Sequence, residues 1–512
     1  MRFSLSGILL TVCMITSNAQ LWLDPSFGTG GVVSTSTSPT FDGAIAMALQ
    51  PDGRIVVVGS TAIAGNSADL LLMRYLPDGT LDPSFGVGGI STLDVGTTDI
   101  AYDVALQQDG RIVVVGTVFG VGTDKVVARF TADGEVDTSF NGTGTLVIDD
   151  SFAEDQFNGV TVQSDGRIVV VGQGFDGSKD AFHIMRLLPD GSFDPSFGNN
   201  GQVEHLIGID NCRAYDVAVM PDGRIVNVGT SFTTGQNGFD VAVVRYLPDG
   251  SFDTAFSTDG KVTFSWSITA DIGYAVCLQP DGGILVGGAE GEESPTVSIV
   301  VARLLENGDP DLSFGTAGTF RSFVGVSPTR CGGLALDGDN NILVAGTAGA
   351  SSADRKSYLC KLLPSGQPDG SFGTAGELYH SVPDVGDDTP AIAVQPDGRI
   401  LLAGAVGNIF ASDVRVLRYL PEAITSVPED EDGSVRLLHA DAQGLHLLSS
   451  FNSTLSYSLL DARGTLIMSG SKKVAQQVTQ HITFPDVLAS GAYTLAYEAK
   501  DTRGVLRFVV VD

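Results

Sequence analysis

The chain has 512 residues, more than one ordinary globular core supports, so several domains or a repeat array are expected. A hydrophobic content of 43% with only 17% charged residues indicates a folded protein rather than a disordered one. The formal net charge of −31 repels nucleic acids and anionic lipid surfaces, so neither is expected as a partner.

Residues 1–19 have the pattern of a signal peptide, which predicts a protein that is secreted or displayed on the outer cell surface. Arg2 supplies a positive charge, residues 5–16 are mostly apolar, and small residues precede a predicted cleavage between Ala19 and Gln20. No later segment has the roughly 20 apolar residues that a membrane-spanning helix needs, so no transmembrane segment is expected.

Of the five cysteines, Cys13 lies in the predicted signal peptide. The other four include no C-x-x-C pair, so a zinc knuckle is not expected. Cys277 and Cys360 lie in apolar strand patterns and are predicted to be buried free thiols. Cys212 and Cys331 remain a candidate disulfide, since export permits one.

Three motifs recur in a fixed order. The first is an Asp-Gly turn followed by an apolar run, as in PDGRIVVVG at 51–59. The second carries a basic residue before a turn, as in MRYLPDG at 73–79. The third is a corner motif, DPSFG, which first occurs at 24–28. Such repetition is the signature of a repeat architecture.

Each repeat unit contains four short predicted strands, which we name A to D. In the second full unit they cover 101–107, 111–116, 124–130 and 144–149. Strand B is apolar at every position, so both of its faces need cover. Sheets stacked around a ring axis provide that cover, and neither end of the array has a polar capping unit. The predicted fold class is therefore all-β, with a seven-bladed β-propeller of four-stranded blades over 20–421.

The corner motifs start before the first complete unit and stop before the last one. The N-terminal fragment therefore has a strand D without a blade, and the last unit lacks one. We expect residues 31–36 to pair with 413–420, so that the N-terminal strand closes the last blade and removes an exposed sheet edge.

The two ends of the predicted ring differ in sequence variability. The A–B and C–D connections are nearly the same in every repeat, whereas the B–C and D–A connections vary in length and content. This second end, the variable face, is the expected place for recognition. Its candidate contact residues are Trp266, Asp271, Arg213 and Arg330, which we assign to D–A connections.

The repeated polar residues are predicted to be structural. The corner serine recurs without a matching repeated histidine, which argues against a nucleophile and favours a turn. The basic residue of each strand C is expected to pair with a corner aspartate. No catalytic residue and no cofactor is predicted. The acidic segments 337–341 and 429–433 are candidate structural calcium sites, although neither has the full set of oxygen ligands.

After the repeats, residues 422–434 have the acidic, Pro- and Gly-containing composition of a linker. Residues 435–512 contain alternating strand patterns and predict a small β-sandwich.

The repeats resemble the delta-60 repeat family of bacterial extracellular proteins in their D-G-R-I-x-V-x-G hairpins, R-Y-L-P-D-G strands and D-P-S-F-G corners. This resemblance implies a β-propeller and no established enzymatic activity. Segments 457–470 and 488–512 are similar to the sorting domain of the type IX secretion system of Bacteroidetes. That resemblance implies that residues 435–512 are an export address for the type IX secretion machinery.

The expected function is a monomeric, secreted or cell-surface scaffold that binds an unknown protein or glycan ligand through the variable face. One alternative is an extracellular polysaccharide-active hydrolase or lyase that uses loop carboxylates. Another is a structural module of a matrix. A pocket or a flat surface at the variable face is the feature that distinguishes these hypotheses most directly.

Overall fold

The computed structural model describes residues 22–422 and 435–510, apart from short segments. Those segments are 64–66, 121, 150–154, 176–177, 233–237, 292–296, 326–329, 350–353, 382–385, 409–410, 442–443, 450–452, 462–465, 475–478, 484–490 and 500–501. The predicted signal peptide, the Ala19–Gln20 cleavage site, residues 423–434 of the predicted linker and the candidate calcium site at 429–433 lie outside the described residues.

The strands are numbered in chain order, and β1 covers Val32–Thr35. Blade 1 consists of β2 (Asp42–Leu49), β3 (Ile55–Ile63), β4 (Ser67–Tyr75) and β5 (Ile90–Leu93). Blade 2 consists of β6 (Thr98–Leu106), β7 (Ile112–Phe119), β8 (Thr123–Phe130) and β9 (Thr145–Ile148). Blade 3 consists of β10 (Gln156–Val162), β11 (Ile168–Phe175), β12 (Asp180–Leu187) and β13 (Gln202–His205). Blade 4 consists of β14 (Cys212–Val219), β15 (Ile225–Phe232), β16 (Phe239–Tyr246) and β17 (Lys261–Phe264).

Blade 5 consists of β18 (Asp271–Leu278), β19 (Ile284–Glu290), β20 (Val297–Leu304) and β21 (Thr319–Gly325). Blade 6 consists of β22 (Arg330–Leu336), β23 (Ile342–Ala348), β24 (Lys356–Leu362) and β25 (Glu377–His380). Blade 7 consists of β26 (Gly386–Val394), β27 (Ile400–Asn408), β28 (Ala411–Tyr419) and β1. The first strand of each blade packs against the first strands of its two neighbours, around the axis of the ring.

The ring is closed by the two ends of the propeller sequence. β1 pairs with β28 in antiparallel register, with Val32 opposite Leu417 and Thr35 opposite Val414. The pairing predicted between 31–36 and 413–420 is therefore confirmed. The all-β, seven-bladed prediction is also confirmed for the part of the chain that the structure describes.

The hydrophobic core lies between blades. Strand β7 shows why: Val113 and Val115 pack toward blade 3, whereas Ile112 and Val114 pack toward blade 1. All four side chains are fully buried, as the unbroken apolar pattern of strand B predicted. Seven such clusters of buried side chains occur in the described ring, and one of them joins blade 7 to blade 1.

The corner motif fastens each blade to the next. Ser139 donates its hydroxyl to Asp137 at 2.6 Å, and Arg129 donates its Nε–H to the other oxygen of Asp137 at 2.8 Å. The guanidinium of Arg129 also lies over the buried Phe140 ring, 4.8 Å from its centroid. Asn141 then donates its backbone N–H to the carbonyl of Asp190 in blade 3 at 2.8 Å. The predicted turn role of the corner serine is confirmed.

The predicted pairing of strand C cations with corner aspartates is confirmed in all seven blades. The pairs are Arg74–Asp82, Arg129–Asp137, Arg186–Asp194, Arg245–Asp253, Arg303–Asp311, Lys361–Asp369 and Arg418–Asp24. Sequence reasoning missed a second cation, the arginine of the D-G-R turn. Arg111, for example, donates its Nε–H to Asp137 at 2.9 Å.

Two further sheets follow the propeller. Their strands are β29 (Val435–Asp441), β30 (Gly444–Ser449), β31 (Ser453–Asp461), β32 (Leu466–Val474), β33 (Thr479–Thr483), β34 (Gly491–Ala499) and β35 (Thr502–Val510). One sheet has the order β29-β30-β33 and the other β32-β31-β34-β35. Among the described residues, no helix is long and apolar enough to cross a membrane.

The candidate Cys212–Cys331 disulfide is not formed. Cys212, Cys277, Cys331 and Cys360 are all free thiols. Burial raises the pKa of Cys277 to about 11 and that of Cys331 to about 12, so both remain protonated and unreactive at neutral pH.

Candidate functional site

Every first strand of the ring contains an irregularity at the same place. The register with the second strand shifts between Ala44 and Ala46, Ala101 and Asp103, Phe157 and Gly159, Ala214 and Asp216, Gly273 and Ala275, Cys331 and Gly333, and Asp388 and Ala391. Such a β-bulge leaves an extra residue unpaired and redirects its side chain. The propeller therefore turns at least one residue of each blade away from the regular pleat.

The glycine that ends each strand B motif explains how the bulge is accommodated. A Cβ atom on Gly116 would lie 1.9 Å from the carbonyl oxygen of Ile100 in the bulged strand β6. The corresponding glycine of blade 3, Gly172, would meet the carbonyl oxygen of Gln156 at 2.0 Å. The repeated glycine thus leaves the space that the repeated bulge occupies.

The redirected side chains face one cavity of about 590 Å³ on the ring axis. Its lining includes the bulge residues Ile45, Tyr102, Asn158, Tyr215, Tyr274, Gly332 and Pro390. It also includes Phe41 from a D–A connection and Arg355 from a B–C connection. The cavity therefore opens at the variable face.

The cavity has two unlike walls. At the bulge position, blades 2 to 5 contribute Tyr102, Asn158, Tyr215 and Tyr274, whereas blades 6, 7 and 1 contribute a glycine, a proline and an isoleucine. The second wall also contains the charged side chains of Arg355 and Asp388. The rings of Tyr215 and Tyr274 meet edge to face with centroids 5.0 Å apart. The guanidinium of Arg330 lies 5.7 Å from the Tyr274 centroid. One wall thus presents a continuous row of aromatic and hydrogen-bonding groups.

Two carboxylates occupy the position after the bulge in this polar wall. Asp103 accepts the backbone N–H of Val160 in the next blade at 2.7 Å. Asp216 accepts the N–H of Val276 in the same way at 2.8 Å. The blade between them has Gly159 at this position, which contributes no side chain. Both carboxylates line the cavity.

The two carboxylates differ in proton affinity. Asp216 is half-buried and lines the cavity, and burial among protein atoms raises its pKa to about 6. Burial also raises the pKa of Asp103, and the nearby charge of Asp216 raises it further, to about 8. At neutral pH this pair therefore consists of a protonated Asp103 and a mostly ionised Asp216.

The four predicted contact residues have different positions. Arg330, at the start of β22, is exposed and lines the cavity. Arg213 is half-buried within β14. Trp266 lies in a D–A connection, where its ring packs against Gly288. Asp271 is fully buried in β18 and accepts the backbone N–H of Trp266 at 2.6 Å. The assignment of all four to D–A connections is corrected, since three lie in first strands.

Sequence reasoning missed the polar wall, because a bulge leaves no mark in an apolar–polar pattern. A signal was nevertheless present. When the strand A sequences are aligned on their hairpins, AYDVALQ, AYDVAVM and GYAVCLQ place Tyr102, Tyr215 and Tyr274 at one position. A polar or aromatic residue recurring within an otherwise apolar, innermost strand marks a candidate channel side chain.

Solved structures with a similar arrangement of strands have low sequence identity. A gluconolactonase from Xanthomonas campestris is 15% identical, with a TM-score of 0.36 over 75% of this chain and 99% of that one. The polysaccharide lyase Uly1 is 10% identical, with a TM-score of 0.43 over 74% and 90%. The β-propeller domain of the Trilobed protease from Pyrococcus furiosus is 10% identical, with a TM-score of 0.37 over 74% and 96%. No conclusion about activity follows from likeness at this level.

No curated protein sequence matches the chain. A sequence profile of the family described as a domain of unknown function (DUF5122) beta-propeller matches residues 50–85, 107–140, 163–197, 221–256, 279–314 and 338–372. Each match begins at an A–B hairpin and ends at a corner motif. The last blade has its hairpin near residue 396 and its corner at 24–28, so it cannot match as one continuous segment. The profile thus matches six continuous repeats, between residues 50 and 372.

Proposed function

We propose that this protein is a secreted or cell-surface binding protein that takes a glycan into the mouth of its central channel. The observation that carries the proposal is the polar wall, where bulges bring Tyr102, Asn158, Tyr215 and Tyr274 together at the variable face. Aromatic rings offer flat apolar faces to the C–H bonds of a sugar ring. Amide and carboxyl groups supply the directed hydrogen bonds that sugar hydroxyls require.

The size and composition of the cavity support a short saccharide. A volume of about 590 Å³ lies within the range of small-molecule sites. The protonated Asp103 donates a hydrogen bond and the ionised Asp216 accepts one, so the pair suits the mixed donor and acceptor character of hydroxyl groups. On the opposite wall, Ile45 and Pro390 offer apolar surface to a sugar ring, and Arg355 and Asp388 add charged hydrogen-bonding groups.

Binding to a glycan array, followed by calorimetry with the best ligand, tests this proposal. Tyr215→Ala with Tyr274→Ala is expected to weaken binding by about 100-fold, since an aromatic contact contributes roughly 1–3 kcal/mol. Ile268→Ala provides the matched control, because Ile268 is 79% exposed in a D–A connection and does not line the cavity. If Ile268→Ala weakens binding and the tyrosine variant does not, the loops rather than the channel form the binding site.

The export part of the proposal rests on sequence alone. The signal-peptide pattern of residues 1–19 and the sorting-domain resemblance of residues 435–512 support secretion through the type IX machinery. Mass spectrometry of the exported protein checks the signal peptide, because a mature chain that begins at Gln20 is expected. Export that is lost when residues 435–512 are deleted would support the sorting role of that region.

A second candidate function is acid–base cleavage of the bound glycan, which the Asp103–Asp216 pair favours. Glycoside cleavage uses two carboxyl groups of unlike proton affinity, and the cavity contains such a pair. Release of reducing ends from a captured glycan measures this activity. Cleavage that is lost in Asp216→Asn while binding persists identifies an enzyme, whereas binding without cleavage identifies a scaffold.

A further inference from the structure

A buried aspartate lies at or next to the start of the first strand in five blades. These residues are Asp42, Asp99, Asp155, Asp271 and Asp387, and each is at most 1% exposed. A buried carboxylate is costly unless hydrogen-bond donors or cations surround it. The way in which each one is satisfied therefore distinguishes a structural aspartate from a functional one.

Asp42 shows the satisfied arrangement at the junction of blades 7 and 1. Its Oδ2 accepts the backbone N–H groups of Thr37 and Ser38 at 2.6 and 2.8 Å. Its Oδ1 accepts the hydroxyls of Thr37 and Thr61, both at 2.6 Å. Both oxygens are thus satisfied without a ligand.

Asp271 and Asp387 are satisfied by other donors. Asp271 Oδ1 accepts the Ser267 hydroxyl at 2.8 Å. Asp387 accepts the Ser357 hydroxyl at 2.8 Å and pairs with Arg415 at 3.1 Å. Asp155 lies 3.9 Å from the buried ammonium group of Lys125. These three junctions therefore need no added cation.

Asp99, at the junction of blades 1 and 2, lacks the two hydroxyl donors that Asp42 has. Its Oδ2 accepts the backbone N–H groups of Val95 and Gly96 at 2.7 and 3.2 Å, as in Asp42. In the register of the sheet, however, Val118 stands opposite Asp99 where Thr61 stands opposite Asp42. Asp94 occupies the position five residues before Asp99, where Asp42 has Thr37. The buried Oδ1 of Asp99 consequently has no hydrogen-bond partner among the described residues.

The carboxylate of Asp99 lies beside two other carboxylates. Oxygen atoms of Asp69, Asp94 and Asp99 all lie within 4.8 Å of one another. Asp69 is only 6% exposed, whereas Asp94 is open to solvent. Within the part of the chain that the structure describes, no lysine, arginine or histidine forms an ion pair with any of the three. Burial raises the pKa of Asp69, and the charges of Asp94 and Asp99 raise it further.

We propose that Asp69, Asp94 and the free oxygen of Asp99 bind a divalent cation, and that this cation is calcium. Three carboxylate oxygens are hard ligands of the kind that calcium takes, and solvent at Asp94 can complete a flexible coordination shell. The cation replaces the two hydroxyl donors that the equivalent junction has at Asp42. It also links strand β4 and the end of β5 in blade 1 to β6 in blade 2.

The full chain, treated with EDTA and dialysed, tests the proposal by thermal unfolding and by calorimetry with CaCl2. One equivalent of calcium is expected to bind at this junction. At about 100 times its Kd, a ligand of the native state should raise the Tm of a ring of this size by about 3 °C. Binding that is absent in calorimetry overturns the proposal.

Two variants and a control assign the site. Asp94→Thr with Val118→Thr recreates the donors of the Asp42 junction, so it should raise the calcium-free Tm and abolish the calcium response. If that variant fails to fold, Asp94→Asn at the exposed ligand should still weaken calcium binding at least 10-fold. Asp271→Asn is the matched control, since the satisfied aspartate of blade 5 should not affect the response. A calcium response that persists unchanged in Asp94→Asn places the ion elsewhere and overturns the assignment.

Discussion

Asp103 shows how one side chain acquires both a structural and a chemical role. Its carboxyl group accepts the backbone N–H groups of Val104 and Val160, and so links β6 to β10. The same group lines the cavity, where burial and the charge of Asp216 raise its pKa to about 8. A residue placed between two blades is thus surrounded by enough protein to hold a proton at neutral pH while it still faces a ligand.

Asp103 should make the stability of the protein depend on pH. Its pKa in the folded state lies above the value of about 4 in an unfolded chain, so the folded state holds the extra proton between those values. The contribution to stability is fully present below about pH 4 and is lost as pH rises toward 8. Asp103→Asn should remove this loss, a difference of about 2 kcal/mol after allowance for water in the channel.

Urea unfolding of both proteins at pH 5, 6.5 and 8 measures the effect. The variant should gain stability relative to the natural protein as the pH rises. If the free energies of unfolding of the two proteins change with pH by the same amount, the expected proton uptake by Asp103 is contradicted.

At the scale of the strand, sequence patterns predicted the regular strands and missed the β-bulge in the first strand of each blade. Strand C of blade 2 was predicted at 124–130 and is observed as Thr123–Phe130. Strand A was predicted at 101–107 and is observed from Thr98. The prediction began too late because Thr98 and Asp99 are polar residues, which are uncommon at the start of a buried strand. The alternation of apolar and polar residues indicates which face of a strand is buried, and turn residues indicate where the strand ends. The apolar–polar pattern does not show where a bulge lies, so the candidate site could be located only from the tyrosine that recurs in three of the strand A sequences.

The link between the bulge and its facing glycine predicts the effect of Gly116→Ala. The added methyl group would collide with the Ile100 carbonyl at 1.9 Å, and backbone cannot move aside as a flexible side chain can. We expect a loss of about 2–4 kcal/mol in the free energy of unfolding and weaker glycan binding, because the bulge that directs Tyr102 is disturbed.

Gly120→Ala is the control for that substitution. Gly120 follows β7 directly, and a methyl group added there would meet no described atom within 4 Å, so the change should be tolerated. Equal stability of the two variants would show that the bulge can relax at little cost.

At the scale of the whole molecule, no blade has a core of its own among the described residues of the ring. Each hydrophobic cluster of the ring is shared by two neighbouring blades, so a blade is stable only when both neighbours are in place. The N-terminal segment contributes to both interfaces of blade 7. Trp22 and Leu23 pack between blades 6 and 7, and Phe27 packs between blades 7 and 1. Asp24 also receives Arg418 and Arg399 from the other end of the propeller.

Removal of residues 1–36 should therefore open the ring. The deletion strips three buried apolar side chains, each contributing roughly 2–3 kcal/mol, and it exposes the edge of β28. We expect a fall in Tm of more than about 10 °C and concentration-dependent association in light scattering. Removal of residues 1–19 alone is the control and should change neither quantity.

A peptide of residues 20–36 added in trans should restore the Tm of the shorter chain. The same peptide with Val33→Lys should not restore it, because Val33 packs against the core between blades 7 and 1. An unchanged Tm after the longer deletion would mean that the seven blades hold together without their closing strand.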